Sequence, residues 1–184
     1  MAITPSSMIP LGTLAPPFSL LDVTTQKIVS LDNLKSNIGT VIVFICNHCP
    51  FVKHIQKRLV VVAQDYQKKG IAFIAINSND VKAYPEDSPA NMQEEARKQN
   101  YPFPYLFDET QEVAKAYHAT CTPDFFVFDY HLRCVYRGRF DGATPGNDLP
   151  VTGHELTEAL DCLLTKRPIS PDQKQSVGCN IKWK

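Results

Sequence analysis

Two cysteines separated by two residues, Cys46 and Cys49, are the residues best able to do chemistry in this chain. Side chains three positions apart share a helix face, so the two thiols can close a disulfide. Helix N-termini carry unpaired N–H groups and the positive end of the dipole, which lower the pKa of a thiol there below its usual value of about 8.5. His48, if protonated, would favour the thiolate further. The pattern predicts a redox pair in which Cys46 is the more acidic and more exposed thiol.

The elements around this pair are a strand and a helix. Val41 to Ile45 is a continuous apolar run of the length expected for a strand buried on both faces. After the cysteines, apolar residues recur every three or four positions, which predicts an amphipathic helix. That stripe is Phe51, Ile55, Leu59, Val62 and Tyr66. A Cys-x-x-Cys motif at such a junction is typical of redox proteins.

Composition excludes several classes of partner. The 184 residues suit one domain, and 19 basic residues balance 19 acidic ones, which gives no reason to expect a nucleic acid or membrane partner. Residues 1–18 have neither the basic residue nor the apolar run of a signal peptide, and no later run reaches membrane-spanning length. We therefore expect a cytoplasmic protein whose six cysteines are not a structural disulfide framework.

Patterns along the rest of the chain predict alternating strands and helices. A β-hairpin is expected at 18–31, a short helix at 31–37, a strand at 71–76 and a helix opening at Ser88 and Pro89. A strand at 105–107, a helix to 118, a second hairpin at 125–137 and a final helix follow. Capping boxes are expected at Asp108–Gln111 and Thr152–Glu155. Residues 1–184 are expected to form one domain, with a core at about 11–165 and a docked tail at 166–184.

Four stretches together resemble the thioredoxin superfamily, and more closely its redoxin branch of thioredoxin-like and peroxiredoxin-like proteins. They run from Leu11 to Leu20, Phe44 to Pro50, Phe103 to Asp108 with Tyr117, and Cys121 to Phe126. The resemblance implies an α/β thioredoxin-like fold with a central mixed β-sheet flanked by helices, an N-terminal β-hairpin and a C-terminal tail extension.

The same resemblance implies a thiol-disulfide oxidoreductase with antioxidant activity and without a cofactor. Cys46 would be the attacking thiol and Cys49 the resolving thiol. Pro123 would be a cis-proline facing the pair, and Thr122 would offer its backbone to an extended substrate; with His48 they are the expected substrate-binding residues. The expected partner is a disulfide-containing protein or a small thiol, with a thioredoxin or glutathione system as candidate reductant.

Two departures from the family patterns keep other functions open. Thioredoxins bury an acid behind the pair, and this strand has none, so Asp124 is the candidate substitute. Peroxiredoxins need Pro-x-x-x-Thr-x-x-Cys; aligned on Cys49, this chain has Ile42 for the proline and Cys46 for the threonine. A thiol peroxidase is therefore the enzymatic alternative, and a redox-sensing or partner-binding module is the non-enzymatic one.

The other histidines and cysteines are candidate metal ligands or redox groups. A zinc site from the pair with His48 and His54 has the right atoms, but helical spacing does not bring the four together, so no metal is expected. Cys134 is expected in the core, and Cys162 has no evident partner. Cys121, directly before Thr122, is a candidate accessory redox thiol.

The tail from Ser176 to Lys184 alternates apolar and polar residues. Val177, Cys179, Ile181 and Trp183 fall on one side, which predicts a docked strand with that face buried. Cys179 is then either a small apolar residue in the packing or a third redox thiol able to pair with Cys46, Cys49 or Cys121.

Overall fold

The computed structural model describes residues 3–184, which form two β-sheets and five α-helices. The strands are β1 (Ile3–Pro5), β2 (Ser19–Asp22), β3 (Lys27–Ser30), β4 (Gly39–Phe44), β5 (Ile71–Asn77), β6 (Tyr105–Phe107), β7 (Cys121–Thr122), β8 (Asp124–Asp129), β9 (Cys134–Gly138) and β10 (Val177–Asn180). The helices are α1 (Leu31–Leu34), α2 (Pro50–Gln67), α3 (Pro89–Gln99), α4 (Glu112–Ala116) and α5 (His154–Leu164), with a 3-10 turn at Pro85–Asp87.

The larger sheet is mixed and has seven strands in the order β3-β2-β6-β5-β4-β8-β9. The strand β4 lies near its middle, parallel to β5 and antiparallel to β8, and all six of its residues are buried. The apolar run that predicted this strand is therefore explained by its position, because a central strand is covered on both faces. The thioredoxin-like architecture expected from the sequence is confirmed.

Helices cover both faces of this sheet and divide the core into two clusters. Buried side chains of α2, α3 and α5 pack on one face, together with both cysteines of the motif. The other face is covered by α1, α4 and the segment before β2, packed around Phe44, Phe126 and the fully buried Tyr117. Among residues 3–184, no helix combines the length and apolarity needed to cross a membrane.

Three chain segments meet at one edge of the sheet. Parallel pairing places the carboxyl end of β4 at Phe44 beside Ile76 near the end of β5. Antiparallel pairing sets the same Phe44 opposite Asp124, the first residue of β8. The Cys-x-x-Cys motif, the loop after β5 and the residues before β8 must therefore lie together.

The predicted hairpins β2–β3 and β8–β9 are confirmed, and so is the cap of α3, where the Ser88 hydroxyl accepts from the Asn91 N–H. Both predicted capping boxes are wrong. Gln111 precedes α4 and Gly153 precedes α5, both with left-handed backbone and no capping side chain of their own. In α4 the Ala114 N–H is bound by Asp108, the first residue of the predicted box. At α5 the Thr152 hydroxyl accepts from the His154 N–H, and Asp141 accepts from the Gly153 N–H just before the helix.

The smaller sheet contains the C-terminal strand β10 between β1 and β7. The alternation over 176–184 predicted a longer strand with Trp183 buried, but β10 ends at Asn180 and Trp183 is 43% exposed. Cys179 and Ile181 are buried as the alternation predicted, whereas Val177 is exposed. The buried face is short because β7, the strand on which β10 lies, contains only two residues.

Candidate active site

The two cysteines of the motif occupy different positions relative to the helix. The helix α2 begins at Pro50, so Cys49 is its N-cap residue and Cys46 lies three positions earlier. Proline suits the first helical position because it has no N–H that would be left unpaired. The backbone of Val52, in the first turn of α2, lowers the pKa of Cys49. The helix N-terminus therefore acts on Cys49 rather than on Cys46.

This placement reverses the predicted order of acidities. The interaction with the Cys46 thiol is the main reason that the pKa of Cys49 is lowered to about 5. Burial opposes this shift, and interactions with Cys179 and the Val52 backbone add to it. The pKa of Cys46 is raised well above its ordinary value by that same hydrogen bond to Cys49, by burial and by the negative charge of Asp87. These opposite shifts favour the thiolate on Cys49 and run against the prediction that Cys46 is the more acidic thiol.

Neither sulfur is open to solvent. Cys46 is 2% exposed and Cys49 is fully buried, so the greater exposure predicted for Cys46 is too small to separate the two thiols. The C-terminal strand β10 covers the pair, with the Cys179 sulfur 2.8 Å from the Cys49 sulfur. Access to the pair therefore depends on β10.

The Thr122–Pro123 peptide bond is cis, as the resemblance implied. Thr122 contacts both cysteines: its hydroxyl lies 3.4 Å from the Cys46 sulfur, and its carbonyl oxygen lies 3.2 Å from the Cys49 sulfur. Thr122 and Pro123 thus lie against the pair. Their role in binding substrate remains a prediction.

The His48 ring binds a buried carboxylate beside the pair. Its Nδ1 lies 2.6 Å from an oxygen of Asp87, and its ring stacks on Tyr84 with centroids 5.1 Å apart. The hydrogen bond to Asp87, opposed by burial, raises the pKa of His48. Burial acts to raise the pKa of Asp87, but hydrogen bonds from His48, Asn79 and the Asn47 N–H outweigh it and leave that pKa lowered. Both shifts favour the charged forms of a half-buried imidazole and a fully buried carboxyl group that lie in contact.

Asp87 is the functional residue that the sequence analysis missed. It is fully buried and accepts hydrogen bonds from the Asn47 N–H at 2.7 Å and from the side chains of Asn77 and Asn79 at 3.2 and 2.8 Å. The available signal was its loop, which follows β5 and is rich in Asn, Asp and Ser. Since β5 is parallel to β4, that loop had to lie beside the motif.

Asp124 does not act as the buried acid behind the pair. Along β8 it alternates with Phe125 and so shares the side of Phe126 and Phe128, whose rings pack in the cluster away from α2. It is 1% exposed, and burial raises the pKa of its carboxyl group well above the ordinary value. Asp87 is the acid whose charge reaches Cys46.

All six cysteines lie in the described part of the chain, and none forms a disulfide there. Cys179 contacts Cys49 directly. Cys121 is fully buried opposite Asn180 in the small sheet, and burial raises its pKa beyond any physiological value. Cys134 is a core residue as predicted, and Cys162 lies half-buried on α5. The structure therefore groups Cys46, Cys49 and Cys179.

Three possible metal ligands lie close together, and they are not the four residues that the sequence suggested for zinc. One ligand atom each of Cys46, His48 and Asp87 lies within 4.8 Å of the other two. His54 does not take part in this group, although its Nε2 is buried without a hydrogen-bond partner. Three such atoms could hold a metal ion, but His48 and Asp87 already satisfy each other by a hydrogen bond.

Comparison with solved structures finds two proteins similar over the whole chain. An uncharacterized conserved protein from Geobacillus kaustophilus is 58% identical with a TM-score of 0.99, over 100% of this chain and 97% of that one. A hypothetical protein from Sinorhizobium meliloti 1021 is 45% identical with a TM-score of 0.96, over 98% of each chain. The thioredoxin domain of a thiol-disulfide oxidoreductase from Bacteroides vulgatus is 13% identical with a TM-score of 0.63, over 82% of this chain and 98% of that one, and shows the fold alone.

Comparison with curated protein sequences gives no match. The sequence model of the AhpC/TSA family matches residues 11–137, which include the strand–helix junction, the buried carboxylate and the cis-proline. That match spans well over half of the sequence, and the structural neighbours share the thioredoxin fold. The chain therefore belongs to the AhpC/TSA family, in the redoxin branch of the thioredoxin superfamily.

Proposed function

We propose that this redox protein is a thiol-disulfide oxidoreductase that uses Cys46 and Cys49. The observation that carries the proposal is the placement of both sulfurs against Thr122, the residue before the cis-proline, at 3.4 and 3.2 Å. Beside it, Cys46 and the first turn of α2 lower the pKa of Cys49 to about 5, which favours its thiolate. Such a thiolate is the nucleophile of disulfide exchange, and a second thiol in contact with it is the natural resolving group. Cys49 therefore attacks and Cys46 resolves, which reverses the roles that the family resemblance implied.

The reaction needs no cofactor. The Cys49 thiolate attacks one sulfur of a substrate disulfide, forms a mixed disulfide with it and releases the other substrate sulfur as a thiolate. Cys46 then gives up its proton and attacks the Cys49 sulfur; the Cys46–Cys49 disulfide forms, and the second substrate sulfur leaves as a thiolate. Two electrons pass from the pair to the substrate, and the reverse sequence oxidises a substrate dithiol.

Charged and polar groups beside the pair support these steps. The Cys49 thiolate contributes to raising the pKa of His48, so the two charges stabilise each other. The Thr122 hydroxyl, 3.4 Å from Cys46, favours the thiolate form of this thiol when it resolves the mixed disulfide. Thr122 and Pro123 form the edge on which an extended disulfide-containing protein segment or a small thiol would lie, next to His48.

Substrate trapping tests the proposal and the assignment of roles. In a Cys179→Ser background, where the neighbouring thiol at 2.8 Å is removed, Cys46→Ser should accumulate a mixed disulfide between Cys49 and a model peptide disulfide, whereas Cys49→Ser should accumulate none. Cys162→Ser is the matched control, because Cys162 lies on α5 away from the pair and should not alter trapping. Trapping by Cys49→Ser alone would restore the attacking role to Cys46. Absence of trapping by both variants would leave a non-enzymatic redox-sensing or partner-binding module.

A thiol peroxidase is the second candidate, favoured by the AhpC/TSA match and by the position of Cys49. An N-cap thiolate with a second thiol, Cys179, at 2.8 Å has the two sulfurs needed to reduce a peroxide and resolve the sulfenic acid. Against it, Ile42 and Cys46 replace the family's proline and threonine. Hydrogen peroxide consumption with a dithiol reductant supplied separates the two: rapid turnover that Cys49→Ser abolishes would favour the peroxidase.

A further inference from the structure

The strand β10 occupies the edge that an extended substrate would use. It is antiparallel to β7, with Cys179 opposite Thr122 and Asn180 opposite Cys121, so it pairs with the residue that precedes the cis-proline. Hydrogen bonding along a free strand edge is a common way in which proteins bind extended peptides. The chain has thus placed its own C-terminus in the expected substrate position.

A cysteine of that strand faces the attacking thiolate. The Cys179 sulfur lies 2.8 Å from the Cys49 sulfur, and a disulfide bond is about 2.05 Å long. Less than about 1 Å of movement therefore separates the contact from a bond.

The residue before Cys179 fits this edge only as glycine. A Cβ added to Gly178 would lie 2.0 Å from the Thr122 carbonyl oxygen and 2.7 Å from its carbonyl carbon. Real Cβ atoms do not approach backbone so closely. The close approach of β10 to the cis-proline segment, and with it the position of Cys179, depends on the missing side chain.

We propose that β10 is an internal substrate: Cys179 exchanges with the Cys46–Cys49 pair to form a Cys49–Cys179 disulfide, and an external substrate must displace β10 from Thr122. The inference rests on the proposed function, because the Cys46–Cys49 disulfide is its starting state. The external substrate class is an extended protein segment with glycine directly before its reactive cysteine.

The internal step balances without a further reactant. Cys179 loses its proton and attacks the Cys49 sulfur; the Cys46–Cys49 bond breaks, the Cys49–Cys179 bond forms, and Cys46 leaves as a thiolate that takes up the proton. The number of disulfides is unchanged, so no oxidant or reductant is consumed. One Cys49-centred disulfide is exchanged for another.

Contacts beyond β10 couple its docking to the buried carboxylate. The Lys182 N–H donates to the Asn79 side-chain oxygen at 2.8 Å, and the Asn79 amide donates to Asp87 at 2.8 Å. The Lys182 carbonyl accepts from the Asp80 N–H and from the side chain of Gln111, both at 2.8 Å. Release of the tail would therefore remove a partner from the residue that supports the His48–Asp87 pair.

Disulfide mapping tests the internal step. Full-length protein is oxidised in a glutathione redox buffer, quenched with acid, alkylated and mapped by mass spectrometry without reduction. The wild type should give a mixture of Cys46–Cys49 and Cys49–Cys179 links, and Cys46→Ser should give Cys49–Cys179 as its main product. If Cys46→Ser carries glutathione on Cys49 while Cys179 remains alkylatable, the internal substrate is ruled out.

Gly178→Ala tests the docking without removing a thiol. The added Cβ should loosen β10 and raise the alkylation rate of Cys49 by about tenfold or more, a factor typical of overpacking at a close contact. Gly146→Ala is the matched control, because a Cβ there meets no atom within 4 Å. An alkylation rate in Gly178→Ala equal to that of the control would contradict the proposal that β10 blocks the pair.

The two proposals fail in different ways. Peptide-disulfide reduction by the wild type, with no Cys49–Cys179 link in any sample, would overturn the internal substrate and leave the proposed function intact. A Cys49–Cys179 link in a protein that exchanges with no external disulfide would overturn the proposed function and leave the internal bond as established chemistry. A Gly-Cys peptide disulfide that reacts no faster than its Ala-Cys analogue would refute the proposed substrate preference.

Discussion

The acidity of Cys49 should depend chiefly on Cys46. The pKa of Cys49 is lowered to about 5, so about 99% of this thiol is ionised at pH 7, against about 3% of a free thiol with a pKa of about 8.5. The hydrogen bond from Cys46 is the largest cause of the lowering. Cys46→Ala removes that donor and leaves the Val52 N–H and Cys179 in place.

The expected change follows from the strength of that bond. Hydrogen bonds to a charged group contribute about 1.5–3 kcal/mol, and a tenfold change in an ionisation equilibrium corresponds to about 1.4 kcal/mol. The pKa of Cys49 in Cys46→Ala should therefore rise by about one to two pH units. The thiolate should remain the main form at neutral pH, with a slower exchange reaction.

The assay is a pH titration of thiolate ultraviolet absorbance, which does not require a reagent to reach the buried sulfur. The acidic transition is assigned by its loss in Cys49→Ser, and Cys162→Ala serves as the control that should leave it unchanged. If the transition survives Cys49→Ser and disappears in Cys46→Ala, the thiolate belongs to Cys46. If Cys46→Ala leaves the midpoint unchanged, the hydrogen bond does not set the pKa.

Three further predictions concern stability, each measured by urea unfolding. Asp87→Asn should destabilise the fold by about 3 kcal/mol, because it leaves His48 and buried donors without a carboxylate. The raised pKa of His48 contributes stability below the unfolded value of about 6.5, and the lowered pKa of Asp87 contributes stability above about 3.9. The loss should therefore be largest between these two pH values and should not be constant with pH. Asp124→Asn should stabilise the protein at neutral pH, because a carboxyl group with a raised pKa removes stability as the pH rises above about 3.9. A urea midpoint below that of the wild type at pH 7 would contradict this prediction. Gly153→Ala should destabilise by about 1–3 kcal/mol, because its φ is +72° and a Cβ would lie 2.5 Å from the Phe140 ring. Gly146→Ala, with a positive φ but open space, is its control.

Local patterns in the sequence were sufficient for the fold. The apolar run at Val41 and the stripe from Ile55 report the burial of a strand and of one helix face, and these follow from spacing alone. The hairpins and the cap at Ser88 are likewise local. Recognition of the fold also predicted the cis bond before Pro123.

Helix caps supplied by distant residues could not be predicted in this way. Asp108, the first residue of its predicted box, binds the Ala114 N–H at a separation of 6 positions, and Asp141 binds the Gly153 N–H before α5 at a separation of 12 positions. The start of α2 could have been predicted from the sequence, because Pro50 marks the first helical position. Proline favours the first helical position, which makes Cys49 the N-cap residue and moves the helix dipole from Cys46 to Cys49.

The sequence by itself determined the redox motif, its place between a buried strand and a helix, and the fold around it. Only the tertiary structure decided what else acts on the two thiols: burial, the charge of Asp87 on Cys46, and the contact of Cys179 with Cys49, from residues about 40 and 130 positions away in the chain. Spacing encodes periodic burial within one element, whereas the pKa of a buried thiol is set by the charges and hydrogen bonds that other elements bring to it.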